Sequence, residues 1–160
     1  MLKILRNRNA KNILSAVAVA VFGFILLNLT FIFDALYQGI IRRIIGIFIA
    51  FDPDTNLYWF PPLMHGSFVV VIGLISWLVL KSKLKVIYKA IYMTVPVAVV
   101  LVTAGIFLYR WPSVSYTVCG LFSFSVLYYL YRAKQPWLYY YSLILVSITL
   151  LVMGILGVDI

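Results

Sequence analysis

The sequence predicts an all-α polytopic integral membrane protein with five transmembrane helices and one further helix at the outer surface of the membrane. Hydrophobic residues make up 65% of the chain and charged residues only 11%, whereas an ordinary globular domain has about 45–50% apolar and about 25% charged residues. Several apolar runs reach the length of about 20 residues that a helix needs to cross a bilayer. The basic residues cluster at the ends of these runs, as is typical of membrane proteins.

The apolar runs define five spans in a single membrane domain that covers residues 1–160. We predict spans at residues 13–33, 63–80, 86–109, 113–131 and 137–158. The first run is too long for the apolar region of a cleavable signal peptide, which has about 7–15 residues, and no small-residue cleavage site follows it. The connections between the spans are too short to hold a soluble domain.

The distribution of basic residues predicts the orientation of the chain. Cytoplasmic flanks of membrane helices are enriched in Lys and Arg. With the N-terminus inside and the C-terminus outside, ten of the thirteen basic residues lie on the cytoplasmic side. The three on the outer side are Arg42, Arg43 and Arg110. We therefore expect an N-in/C-out protein of the cytoplasmic (plasma) membrane.

Residues 35–51 form the predicted additional helix. Burying Arg42 and Arg43 at the centre of a sixth span would cost about 5–7 kcal/mol and would invert every later helix. Asp34, Gln38 and Arg42 share one helical stripe. We expect an amphipathic helix in the outer interface, with Asp34 as its N-terminal cap. The alternative is a re-entrant segment that other helices cover.

The loop that follows this segment begins D-P-D-T-N, with Asp52 and Asp54 as its acidic residues. This matches only the beginning of a calcium-binding loop, because Leu57 and Leu63 replace the required glycine and the final glutamate. The sequence therefore predicts a solvated turn, and it predicts neither a metal site nor a cofactor.

Few residues have side chains that could take part in a chemical reaction. His65 is the only histidine, and beside Asp52 or Asp54 it could act as a general base. The alternative is a hydrogen-bonded structural histidine. Cys119 is the only cysteine, and we expect a buried, unreactive thiol because its helix places it at mid-membrane depth.

The expected binding partners follow from the outer surface. Basic side chains attract anionic lipid head groups, and aromatic side chains anchor helices at the interface. The residues expected to contact ligands or head groups are Arg42, Arg43, Arg110, Tyr58 and Trp59. Small residues in the helices also favour a protein partner or a second copy of the chain. Nucleic acid is not expected, because the positive charge lies at helix ends.

Three classes of function are compatible with these patterns. The sequence favours a non-catalytic subunit or accessory component of a membrane complex, because few polar residues lie inside the predicted spans and small residues offer positions for helix contact. A carrier or receptor for an apolar or amphipathic small molecule is the first alternative. The second is an interfacial enzyme that acts on a lipid or lipid-linked substrate at the outer leaflet. A laterally open cavity would favour the carrier, and His65 beside an acid and an arginine in a cleft would favour the enzyme.

Overall fold

The computed structural model describes residues 2–48 and 60–156, and within these ranges the chain forms five helices and no strands. The helices are α1 (Leu2–Phe48), α2 (Phe60–Lys81), α3 (Val86–Phe107), α4 (Pro112–Arg132) and α5 (Trp137–Ile155). All five are long and apolar enough to cross a membrane. The helical class is therefore confirmed, and α2 to α5 begin and end within three residues of the predicted spans.

The first helix differs from the prediction, because α1 is one uninterrupted helix of 47 residues. Residues 35–48 are helical, as expected, but they continue the preceding helix instead of starting a new one. Asp34 lies inside α1, so the predicted cap at this position is wrong. A helix of this size is about 70 Å long, more than twice the hydrocarbon thickness of about 30 Å. Only part of α1 can therefore pack within the bundle.

The helices α1 and α3 pack closely against each other and run parallel. Gly23 lies against Thr94, because a Cβ atom added to the glycine would be 2.8 Å from Thr94 Cγ2. Val19 and Ala90, both 0% exposed, belong to the same buried cluster. In both cases the two residues are separated by 71 positions in the sequence. This constant offset gives the register of the two helices.

The register shows which part of α1 lies beside α3. An offset of 71 residues places Val86, the first residue of α3, beside Ser15, and Phe107, the last, beside Leu36. The remaining residues of α1, up to Phe48, extend past the end of α3. This extension of about 12 residues is about 18 Å long. We call residues 37–48 the α1 extension.

The helix α3 is the centre of the bundle and contacts each of the other helices. It runs parallel to α5, where the Ser142 hydroxyl donates a hydrogen bond to the Ala90 carbonyl over 2.7 Å. It runs antiparallel to α2, where the hydroxyls of Ser76 and Tyr92 lie 3.3 Å apart. The turn at residues 108–111 also makes α4 antiparallel to α3. The helix α3 therefore packs against α1 and α2 and against α4 and α5, and α1 also contacts α5.

The core between α3, α4 and α5 lies at one end of the bundle. We call this end the basic end, because the α2–α3 and α4–α5 turns bring several basic residues to it: Lys81, Lys83, Lys85, Lys89, Arg132 and Lys134. The buried residues of α5, from Leu138 to Val146, lie in the half of the helix next to this end. The buried residue of α4, Leu130, lies there as well. In their other halves these helices separate and leave a cleft.

Candidate functional site

The cleft lies between α3, α4 and α5, in the half of the bundle away from the basic end. Its volume is about 640 Å³, within the range of about 300–1,000 Å³ that small-molecule sites occupy. The walls are the end of α3 from Leu101, the beginning of α4 as far as Ser123 and the end of α5 from Ser147. Their lining is mainly apolar. A molecule in the cleft would therefore contact three helices.

Each of the three helices contributes one glycine to the cleft: Gly105, Gly120 and Gly154. A Cβ atom added at Gly105 or Gly120 would meet no other atom within 4 Å. At Gly154 the added atom would lie 3.3 Å from the hydroxyl of Tyr116. The missing side chains at Gly105 and Gly120 therefore help to keep the cleft open.

A row of small polar side chains runs along α4 inside the cleft. Ser115, Cys119 and Ser123 are spaced four residues apart, so they lie on one face of the helix. The hydroxyls of Ser123 and Ser147 are 3.1 Å apart, and Cys119 Sγ is 3.8 Å from the Leu101 carbonyl. These contacts close the deep end of the cleft. Cys119 is half-buried, so it is less covered than the sequence predicted, and its expected lack of reactivity stays a prediction.

An exposed positive charge lies beside the residues that line the mouth of the cleft. Tyr109 lines the cleft, and its hydroxyl accepts a hydrogen bond of 3.1 Å from Arg110 Nε. The guanidinium carbon also lies 5.8 Å from the centre of the Tyr109 ring. The hydrogen bond to Tyr109 raises the pKa of the Arg110 guanidinium above its ordinary value. Arg110 is exposed, so its charge is available to a ligand at the mouth.

A second polar site lies between α1 and α2. His65 Nδ1 is 3.6 Å from Asp34 Oδ2, an ion-pair distance that is too long for a hydrogen bond. Gln38 Nε2 donates a hydrogen bond of 2.9 Å to the same oxygen. The other oxygen, Asp34 Oδ1, is buried and has no hydrogen-bond partner among the described residues. Within the described part of the chain, the neighbour of His65 is thus Asp34, a residue expected to cap a helix.

Neighbouring contacts join α1 to α2 around this pair. The Tyr37 hydroxyl donates a hydrogen bond of 3.0 Å to Ser67 Oγ, and the ring of Tyr37 lies 5.7 Å from that of Phe68. The side chains of His65 and Asp34 are only 17% and 14% exposed. Neither of them lines the cleft between α3, α4 and α5. The pair therefore joins two packed helices.

The two arginines that the sequence placed in the outer interface, Arg42 and Arg43, are exposed. They lie in the α1 extension, two turns beyond Asp34. Among the described residues, neither arginine forms an ion pair, and the one short contact between a basic and an acidic side chain joins His65 to Asp34. The arrangement that would favour an enzyme, an arginine beside the histidine and an acid, is therefore not found in these ranges.

Four predicted site residues lie outside the described residues: Asp52, Asp54, Tyr58 and Trp59. Their predicted roles, as partners of His65 or as interfacial anchors, stay predictions. In residues 2–48 and 60–156, no three His, Cys, Asp or Glu side chains group closely enough to hold a metal ion.

The cleft was not among the features predicted from the sequence. The spacing of Ser115, Cys119 and Ser123 is visible in the sequence, and it could have indicated a polar row on α4. The positions of Gly105 and Gly120 relative to each other depend on the register of α3 and α4, which one sequence does not show.

Comparison of this chain with known protein families, characterised proteins and solved structures finds no match. The geometry of the cleft is therefore the main basis for its function.

Proposed function

We propose that the protein is a membrane-embedded carrier or receptor that binds an apolar or amphipathic small molecule between α3, α4 and α5. The observation that supports this function is the cleft itself. It has a ligand-sized volume of about 640 Å³, apolar walls and a few polar groups in defined positions. Small-molecule sites combine these features.

The His65–Asp34 pair supports an interfacial enzyme less well. A lipid-processing enzyme needs its acid–base groups within reach of the bond that reacts. The pair lies between α1 and α2, where contacts such as Tyr37–Ser67 hold the helices together. Arg42 and Arg43, which would hold an anionic substrate, extend beyond this contact on α1. The cleft therefore offers the better binding site.

The proposed orientation follows from the charges. With the basic end in the cytoplasm, the mouth of the cleft opens toward the outer leaflet, and the N-terminus lies inside. This places Arg110 at the level of the outer lipid head groups. A cysteine introduced by Lys83→Cys, in a Cys119→Ser background, should react only with reagents that enter the cell. Labelling from the outside would contradict the orientation.

Filling the cleft tests the proposed function. Gly120→Phe places an aromatic side chain where the structure has open space, and Gly73→Phe is the matched control. Gly73 lies exposed on α2, and a Cβ atom there also meets nothing within 4 Å. We would measure the affinity of an environment-sensitive, uncharged alkyl probe for each variant in nanodiscs.

The filled cleft should bind the probe about tenfold more weakly or worse, a change of about 1.4 kcal/mol or more. The Gly73→Phe control should bind like the unmodified protein, because its new side chain faces away from the cleft. Equal affinity in all three proteins would contradict a binding function for the cleft.

A second candidate function, a subunit of a membrane complex, is favoured by the α1 extension. This segment continues past α3 and exposes Ile40, Ile44 and Ile47 beside the two arginines. Exposed apolar surface of this kind is typical of contacts with a membrane or another protein. Native mass spectrometry after gentle extraction should show a second polypeptide or a second copy. Its loss in Ile44→Gln would support this function, and a monomer throughout would contradict it.

A further inference from the structure

We infer that the ligand of the cleft is an acyl-chain amphiphile with an anionic head group, either a carboxylate or a phosphate ester, whose head lies at Arg110. This inference rests on the proposed function, because it assigns the ligand class of the same cleft. Three observations carry it: the separation of charge and apolar surface along the cleft, its depth, and the hydrogen-bonding state of Arg110.

The polarity of the cleft changes along its length. Tyr109 and Tyr116 line its mouth, and the exposed Arg110 is hydrogen-bonded to Tyr109 beside it. Below the mouth the lining is mainly aliphatic, and the deep end has the uncharged pair Ser123 and Ser147. No acidic side chain among the described residues lines the cleft. An amphiphile with its charge at the mouth and its chain below fits this gradient.

The depth of the cleft is close to the thickness of one leaflet. Pro112 and Ser123 line opposite ends of its α4 wall. Eleven residues of helix, counted between these positions, rise by about 16 Å. Half of a hydrocarbon core of about 30 Å is about 15 Å. An acyl chain that normally fills one leaflet would therefore extend from the mouth to the Ser123–Ser147 pair.

Arg110 retains donors for an anion. Its Nε donates to Tyr109, and its terminal nitrogens donate to no group in the described part of the chain. A guanidinium presents these remaining N–H groups in a planar fork that matches a carboxylate or phosphate. The contact with the Tyr109 ring, 5.8 Å from its centre, holds the fork beside the cleft. An uncharged head group would leave these donors to water.

Matched amphiphiles test the head-group assignment. Palmitate is compared with hexadecanol, and lysophosphatidate with monopalmitoylglycerol, as competitors of the uncharged alkyl probe in phosphatidylcholine nanodiscs. The charged member of a pair should compete at a lower concentration, by up to about fivefold, because an exposed ion pair contributes modestly. Preference in the first pair identifies a carboxylate ligand, and preference in the second a phosphate.

Two arginine variants and the filled cleft separate the possible causes. Arg110→Gln should abolish the preference for the charged competitor, whereas Arg132→Gln, at the exposed opposite end of α4, should keep it. No preference in the unmodified protein, or a preference that survives Arg110→Gln, would overturn the inference. If Gly120→Phe nevertheless weakens the binding of every competitor, the cleft is still a binding site and only the head-group assignment is wrong. If Gly120→Phe weakens the binding of no competitor, the proposed function itself is wrong.

Discussion

The two sides of α3 are packed differently. Toward α1 and α2, close contacts extend from Ala90 through Thr94 to Val99, which packs with Phe68 of α2. Toward α4 and α5, tight packing stops near Leu101, where the cleft begins. We call the side toward α1 and α2 the closed side, because these two helices also contact each other as far as Tyr37 and Ser67. We call the side toward α4 and α5 the open side, because the cleft lies there beyond Leu101.

Glycine has opposite effects on these two sides. Gly23 allows α1 to approach until Thr94 fills the space where a Cβ atom would be, whereas Gly120 faces open space. Membrane helices associate through close packing and hydrogen bonds, because lipid is as apolar as their side chains. A glycine with a close neighbour thus strengthens the contact, and one without a neighbour leaves room for a ligand. The following changes, from the largest expected effect to the smallest, test this difference.

The largest effect is expected for Ala35→Pro, on the closed side. In a continuous α1, proline at position 35 removes a backbone hydrogen bond and clashes with the preceding turn. We expect the free energy of unfolding to fall by about 3 kcal/mol, measured by denaturation in mixed micelles. If Asp34 capped a separate helix, position 35 would be the first helical residue, where proline is tolerated. Unchanged stability would therefore support the predicted break between two helices at Asp34 and contradict a continuous α1.

The continuity of α1 through Asp34 could not be predicted from the sequence, whereas the other helices could. Helix class and the bounds of α2 to α5 follow from apolar runs and from turns with Pro or Lys, so they were predictable. The end of the first span was not, because Asp34 in an apolar run is also a typical cap. In the structure its carboxylate lies beside His65 and accepts a hydrogen bond from Gln38. A partner on another helix thus allows α1 to continue, and local sequence does not show that partner.

The second prediction compares the loss of stability at two leucines, one in each half of α5. Leu143 is 1% exposed in the core near the basic end, whereas Leu151 lines the cleft and is 50% exposed. Leu143→Ala should lower the free energy of unfolding by about 2 kcal/mol, the lower end of the range for buried leucines, because lipid offers alternative apolar contacts. Leu151→Ala should cost clearly less in the same assay. Equal losses would mean that the cleft is packed as tightly as the core.

The cleft also shows which part of a site sequence reasoning can reach. Arg110 was predicted to meet an anionic head group, because a basic residue beside a membrane span is visible in the sequence. The space below it depends on how α3, α4 and α5 face one another. Hydropathy identifies α4 as a span, but it does not show that Leu130 is the one buried residue of this helix.

The third prediction uses glycines on the same helix. Gly23→Ala should lower the free energy of unfolding by about 1–2 kcal/mol, because the new methyl group would overpack against Thr94. Gly39→Ala should raise it by about 0.5–1 kcal/mol, because alanine favours a helix and Gly39 has no neighbour within 4 Å. Thr94→Ser removes the clashing methyl group, so it should recover part of the loss in the double variant. A loss at Gly39 as large as that at Gly23 would contradict a specific contact with Thr94.

The smallest losses of stability are expected for two serines that make interhelical contacts. Ser142 is 0% exposed, and its hydroxyl donates to the Ala90 carbonyl over 2.7 Å, whereas Ser123 meets Ser147 at the deep end of the cleft. Ser142→Ala should cost about 0.6 kcal/mol, the average for such hydrogen bonds between membrane helices. Ser123→Ala should cost less, because water or a ligand that enters the cleft can replace the lost partner of Ser147. The measurement is denaturation of both variants in the same micelles. A larger loss for Ser123→Ala would show that the deep end of the cleft is a rigid junction, and the half of the bundle near the basic end would then no longer be the better-packed half.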